Sequence, residues 1–268
     1  MRLLVVLISL NAISDGAQAR QTSEDSAASP IVRDFAAFWE DAGYAFSAPA
    51  RFGTEEWIAA GAVAGGTALL FTADDPMRDL VRRNQSTGAD RLSSFGNACG
   101  NGLNVIVVCA ATYGFGLAIQ DEGVRTTGRL MFEAAAFAGL TTTVIKSLAG
   151  RSRPYTGDGP YKFHFVEFDN DYLSLPSGHA TLAFAISSVL SQRIGNVFAG
   201  IALYSAAAVT AWSRMYEDEH WLSDTFLGAT IGTAFGYAVA GERDDAGREK
   251  SSLRIFPGPG GVAIVYNF

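Results

Sequence analysis

Six side chains between residues 146 and 224 are of types an apolar core does not need: Lys146, Arg153 and Arg214, His179 and His220, and Asp224. They fall in three short stretches, KSLAGRSRP from Lys146 to Pro154, PSGH from Pro176 to His179, and SRMYEDEHWLSD from Ser213 to Asp224. The chain around them is apolar and rich in Gly and Ala, where a Lys, Arg or Asp is costly unless paired. Three cations, two imidazoles and a carboxylate make a set suited to an anion, and the anion it fits best is a phosphoryl group.

Each residue type has a task in such a site. His220 and Asp224 are four apart, so a helix from Trp221 onward puts both on one face, where the carboxylate accepts from one ring nitrogen and leaves the other free to attack. Ser177, Gly178 and His179 precede the apolar run Ala180 to Leu190, which places them at a helix N-terminus whose free N–H groups favour an anion. Gly178 lets a phosphate approach the backbone. Lys146 offers a point charge, and Arg153 and Arg214 offer planar forks that match the equatorial oxygens of a phosphoryl group in its transition state. The three histidines, His164 included, and the two cysteines fall into neither C-x2-C nor H-E-x-x-H spacing, so no metal site is expected. His164, among Tyr161, Phe163, Phe165 and Phe168, reads as a loop residue.

The order and spacing of the stretches, K-x6-RP, then PSGH, then SR-x5-H-x3-D, resemble the type 2 phosphatidic acid phosphatase superfamily, which also includes bacterial acid phosphatases and vanadium haloperoxidases. Every fixed position is filled: Lys146, Arg153 and Pro154; Pro176, Ser177, Gly178 and His179; Ser213, Arg214, His220 and Asp224. The resemblance covers about residues 55 to 242, and the chain is short for a haloperoxidase. It implies that His220 attacks phosphorus to give a phosphohistidine, that Asp224 holds its tautomer, and that His179 protonates the leaving oxygen and then activates water. It further implies phosphate binding by Lys146, Arg153, Ser177, Gly178 and Arg214, without a metal or other cofactor. The expected activity is hydrolysis of a phosphomonoester or pyrophosphate on an envelope lipid such as phosphatidate, phosphatidylglycerophosphate, undecaprenyl diphosphate or a lipid A phosphate. Two alternatives are a soluble periplasmic acid phosphatase acting on small phosphoesters and a non-catalytic phosphate or lipid binder. A binder would need the cations but no proton shuttle.

The elements that must position these groups read as mostly helical. With 268 residues and 49% hydrophobic content the chain can build one catalytic domain, and its net charge of −7 argues against a nucleic-acid partner. Apolar stretches at 57–73, 102–120, 128–149, 180–193, 195–213 and 221–241 match the six-helix plan that the resemblance implies. The expected fold class is therefore all-α, a membrane-associated helical bundle with a six-helix catalytic core, plus a short C-terminal β-hairpin. The hairpin is read from Leu253–Phe256 and Val262–Phe268 around a Pro/Gly-rich turn. The domain plan is an export signal over 1–19 ending in Ala17-Gln18-Ala19, a polar linker and amphipathic helix over 20–54, the catalytic domain over 55–242, and a tail over 243–268.

Small residues from Ala59 to Gly66 and from Gly228 to Gly236 permit close helix approach. Cys99 and Cys109 on one continuous helix would stand ~15 Å apart at ~1.5 Å rise per residue, too far for a disulfide unless Gly100 and Gly102 break the helix. Six aromatics between Tyr155 and Tyr172 can rim a phosphate pocket or pin a long loop. Glu217, Asp218 and Glu219 read as a solvated acidic loop.

The expected location is the cell envelope, either membrane-associated with the site facing the periplasm or soluble in the periplasm. Mean hydropathy is only +0.16, low for six spans. A cleaved signal followed by six spans would place the first motif on the cytoplasmic side. A periplasmic site thus requires that 1–19 is not an export signal, that one stretch does not span, or that the whole bundle is exported.

Overall fold

The computed structural model describes residues 29–241 and the backbone of 253–258 and 261–266, so the expected export signal lies outside the described residues. The chain divides into two compact units, residues 1–44 and 45–268. Helix α1 spans Pro30–Ser47, and its residues up to Tyr44 fall in the first unit, with Ile31, Val32, Phe35 and Trp39 exposed.

In the second unit the helices are α2 (Thr54–Leu70), α3 (Asp74–Arg83), α4 (Thr87–Gly100), α5 (Gly102–Ala118), α6 (Glu122–Ala149), α7 (Gly178–Ile194), α8 (Val197–Tyr216) and α9 (Leu222–Gly241). Their ends follow from local chemistry. Ser86, Asn101, Asp121 and Asn196 accept first-turn N–H groups at the starts of α4, α5, α6 and α8. Gly150 closes α6 at φ 58° and Gly195 closes α7 at φ 65°, left-handed positions that glycine takes without strain. All six expected apolar stretches are helical. Two further helices, α3 and α4, lie where the sequence shows only a charged, Arg-bearing connection. Asn101 caps α5 and breaks the chain between Cys99 and Cys109, yet both thiols are free.

The expected fold class needs one correction. Residues 29–241 are 82% helical and contain no strand, so the fold is all-α and the C-terminal β-hairpin is no part of it. The backbone segments Leu253–Gly258 and Gly261–Tyr266 pair with each other alone. A lone two-stranded pair is marginally stable by itself in water.

Helix α7 is central, packed by α6, α8 and α9. Successive reversals bring the C-terminal ends of α6 and α8 and the N-terminal ends of α7 and α9 to one end of the bundle. The close α7/α9 contact rests on the glycine stripe. A Cβ at Gly228 would stand 2.4 Å from the Ser177 carbonyl oxygen, one at Gly232 2.1 Å from that of Thr181, and one at Gly236 2.5 Å from Ser188 Cβ. Among the described residues the stretch Thr54–Arg83 is long and apolar enough to cross a membrane, and α4 with α5, bent by 57°, form a second candidate if counted as one span.

Gly232→Ala should therefore force α9 away from α7 and lower thermal stability by about 1–3 kcal/mol, whereas Gly65→Ala, with nothing within 4 Å, should be neutral or slightly stabilising. Thermal melts of the two variants check this, and equal melting temperatures would contradict the packing.

Candidate active site

All eight residues selected from the sequence lie at that one end of the bundle: Lys146 in the last turn of α6, Arg153 in the following loop, Ser177, Gly178 and His179 at the start of α7, Arg214 near the end of α8, His220 just before α9, and Asp224 in its first turn. Hydrogen bonds stitch the ends together. Lys146 Nζ donates to the carbonyls of Leu173 and Ser174, and Ser177 N donates to the Asp224 carbonyl at 2.9 Å. The Lys146 stem runs beside Gly178, where an added Cβ would meet Cε at 3.8 Å.

Asp224 is fully buried and its two oxygens are separately held. Oδ1 accepts from Arg151 Nη1 at 2.6 Å. Oδ2 accepts from Ser174 Oγ at 2.5 Å and from Trp221 N at 2.9 Å. His220 precedes the helix, so the pair meets across the cap and not along a helix face. Its Nδ1 stands 3.7 Å from Asp224 Oδ2, an electrostatic contact beyond hydrogen-bonding length, and 3.5 Å from Ser174 Oγ. Since Ser174 gives its proton to Asp224, its oxygen is left to accept from Nδ1–H, the tautomer that keeps a lone pair on Nε2.

The cations are not solvated. Arg153 donates to the Asn170 carbonyl at 2.7 Å, to Asn170 Oδ1 at 2.8 Å and to Glu219 Oε2. Arg214 donates to Asn97 Oδ1 at 2.8 Å and to Glu217 Oε2, and its Nη2 lies 3.7 Å from Glu219 Oε2. The acidic triplet is thus ion-paired, contrary to the solvated loop read from sequence, and Asp218 completes it with a two-pronged contact to Arg78 at 2.7 Å. Two buried polar atoms at the site, Ser177 Oγ and Arg214 Nε, have no partner, a cost that a bound anion would relieve. Among the described residues no three His, Cys, Asp or Glu side chains cluster to hold a metal ion.

Burial and charge set the protonation states. Burial, then the neighbouring Arg153, lowers Lys146 to about 7. Burial, then Arg214, Lys146 and Arg153, lowers His179 to about 4. For His220, burial and the Lys146 charge outweigh Asp224 and push the ring well below its ordinary value. Burial opposes ionisation of Asp224, but Arg151 and His220 overcome it and hold the carboxyl at about 2.

Residues 128–246 match the PAP2 superfamily model. Over those residues the chain is similar to the PAP2 superfamily. A lipid A 1-phosphatase of Porphyromonas gingivalis is 28% identical over 173 residues, 63% of this chain and 34% of that protein, so the chain spans about a third of that relative's length. The crystal structure of Aquifex aeolicus LpxE superposes with a TM-score of 0.50 at 20% identity, over 62% of this chain and 94% of that one, a likeness of fold. The PAP2 match takes in every sequence-selected residue and leaves Asp74 and Asn97 outside.

Several groups of this site escaped sequence reading. Arg151, buried to 0% exposure, lies within the first motif at a position the spacing treats as free. Ser174 and Asn170 sit in the aromatic loop, and Asn97 and Asp74 arrive from distant helices. A signal did exist for Arg151: a second Arg two residues before Arg153, in an otherwise small-residue stretch, needs a partner as much as the first. His164 lies against Tyr172 with ring centres 4.0 Å apart and the rings tilted by 34°.

Because Lys146 is charged below about 7 and neutral above it, while His179 stays neutral throughout, binding of a non-titrating dianion should weaken as pH rises from 6 to 8. Sulfate titrated calorimetrically should lose about tenfold in affinity, the worth of one charge-assisted hydrogen bond (~1.5–3 kcal/mol). Lys146→Met should bind weakly at both pH values; an unchanged pH dependence in that variant would remove Lys146 from the site.

Proposed function

We propose that this chain is a phosphatase that hydrolyses a phosphomonoester or pyrophosphate, on a lipid of the cell envelope, through a phosphohistidine. The observation that carries the reading is the arrangement of His220: Nδ1 faces Ser174 and Asp224, and the charges of Lys146 and Arg153 act on the ring. A side chain held in one tautomer beside these cations is built to attack an anion.

The steps follow from the groups present. The phosphoryl oxygens take the charges of Arg153, Arg214 and Lys146 and the free N–H groups at the start of α7, displacing Glu217 and Glu219 from the two guanidinium groups. The incoming negative charge raises His179, which is depressed partly by those same cations, so that it can carry a proton. Nε2 of His220 forms a bond to phosphorus as the bond to the leaving oxygen breaks, and His179 gives that oxygen its proton. The imidazolium that forms is stabilised by Asp224. Water then gives a proton to His179 and its oxygen attacks phosphorus, which releases phosphate and restores neutral His220. No step calls on a metal.

A lipid substrate is supported by the outer surface. Ile58, Leu69, Leu103, Val107, Phe198 and Ile201 are exposed on α2, α5 and α8, apolar side chains of the kind that a membrane would cover. The apolar window of Thr54–Arg83 is only 6% buried, unlike a core helix of a soluble protein. Exposed Tyr161, Phe165 and Phe168 rim the loop between the first two motifs and suit an acyl-chain boundary. The catalytic domain in this reading is 55–242, associated with the membrane and with its site toward the periplasm.

Phosphate release from a panel of lipid and soluble phosphoesters, measured in EDTA, tests the proposal. The wild type should favour lipid phosphates; His220→Ala should fall to background and His179→Ala by about 10²–10⁴-fold. Equal rates in wild type and His220→Ala would refute it.

A further inference from the structure

Asp74 opens α3, outside the PAP2 match, and 1% of it is exposed. Its carboxylate accepts from Ser223 N at 2.9 Å, from Ser223 Oγ at 2.7 Å and from Arg151 Nη2 at 2.7 Å. Arg151 spends all its donors at once: Nη1 on Asp224 at 2.6 Å and Ser223 Oγ at 2.7 Å, Nη2 on Asp74 and on the Pro160 carbonyl at 2.6 Å, and Nε on that carbonyl at 2.9 Å. Its guanidinium lies 4.3 Å from the Phe71 ring centre, over the ring face, which fixes the plane of the fork.

The charge count gives this arrangement a consequence. Were Arg151 paired with Asp224 alone, one positive and one negative charge would cancel, and Asp224 would exert little pull on His220. Asp74 takes up the other side of the same guanidinium. The buried trio keeps one net negative charge, and the oxygen of Asp224 not bound by Arg151 is the one that faces His220. The other charges acting on His220 are Lys146 from α6 and Arg153 from the loop, both positive, so Asp224 is the counterweight and its strength matters.

We propose that Asp74 and Arg151 are positioning residues: Asp74, by sharing Arg151, holds Asp224 in place and preserves the negative charge that it presents to His220. The inference rests on the reading of His220 as the nucleophile. Asp74→Asn keeps the shape and the hydrogen bonds from Ser223 while removing the charge. The imidazolium of His220 becomes easier to deprotonate, so the acidic limb of the kcat profile moves to lower pH, and kcat at its plateau falls about tenfold, as for groups that orient a reacting ligand. KM is unchanged, because Asp74 touches no phosphate-binding group. Arg151→Lys keeps the charge but cannot serve both carboxylates and Pro160, so it lowers kcat and leaves the acidic limb where it was.

The test combines kcat and KM across pH, on a lipid phosphate in detergent micelles, with ring ¹⁵N NMR of His220 in the full chain, wild type against the two variants, and sulfate affinity as the check on folding. The expected result is a shifted acidic limb and a shifted Nδ1–H resonance in Asp74→Asn with sulfate affinity retained. A ring spectrum and acidic limb identical to wild type would overturn the proposal, whatever the loss of thermal stability. A wild type that hydrolyses no phosphoester, with ring resonances that still respond to Asp74→Asn, would uphold the charge link and refute the phosphatase reading instead.

Discussion

A carboxylate with no exposed surface is the constraint around which this end of the molecule is organised. Leaving a buried charge without its partner typically costs about 3–5 kcal/mol, so Asp224 can persist only where donors are delivered to it. Arg151, Ser174 and the Trp221 amide are those donors, and they come from the loop after α6, the approach to α7 and the cap of α9. Satisfying Asp224 therefore fixes the relative placement of three chain segments. The fork of Arg151 extends the constraint to Asp74 and so to the start of α3. Fold and site are held by one network, and the chemistry attributed to His220 depends on a carboxylate the fold cannot do without.

The cations pose the opposite difficulty. Lys146, Arg153 and Arg214 share a small volume, and each is wholly or largely buried. Glu217 and Glu219 take up the two guanidinium groups, and two backbone carbonyls take up Lys146. Neutral histidines follow from burial beside these charges. In the proposed reaction an arriving phosphate inverts the balance, since it brings the negative charge that the carboxylates stand in for, and binding is coupled to the readiness of His179 to donate a proton through the same three cations.

Much of this was legible in the sequence. Each of the six apolar stretches is a helix, because long apolar runs bounded by Asn, Asp and Gly leave few other ways to satisfy the backbone. The eight selected residues gather at one end because motifs at successive helix ends meet when the chain reverses at each. Helix α3 was missed because DDPMRDLVRR is short and mostly charged, and α4 because its small polar residues resemble those of a connecting loop. The break at Asn101 carried a cap signal obscured by the flanking glycines. Arg151 stood out as a second arginine in a small-residue stretch, but its pairing with Asp74 lay beyond reach because a pair 77 positions apart in the chain leaves no local pattern. The acidic triplet looked solvated because charge runs usually are; here each member faces an arginine from another turn or helix. The hairpin was read from local alternation alone, and alternation says nothing about whether a strand pair belongs to the bundle.

The central claim is that His220 forms a covalent bond to phosphorus, and trapping that bond tests it most directly. A lipid substrate labelled with ³²P in its terminal phosphate would be mixed with the enzyme, quenched rapidly and digested. The account predicts an acid-labile, base-stable label on the peptide containing His220, stoichiometric with active enzyme and absent in His220→Ala. Turnover without a labelled enzyme, or a label on another residue, would contradict it.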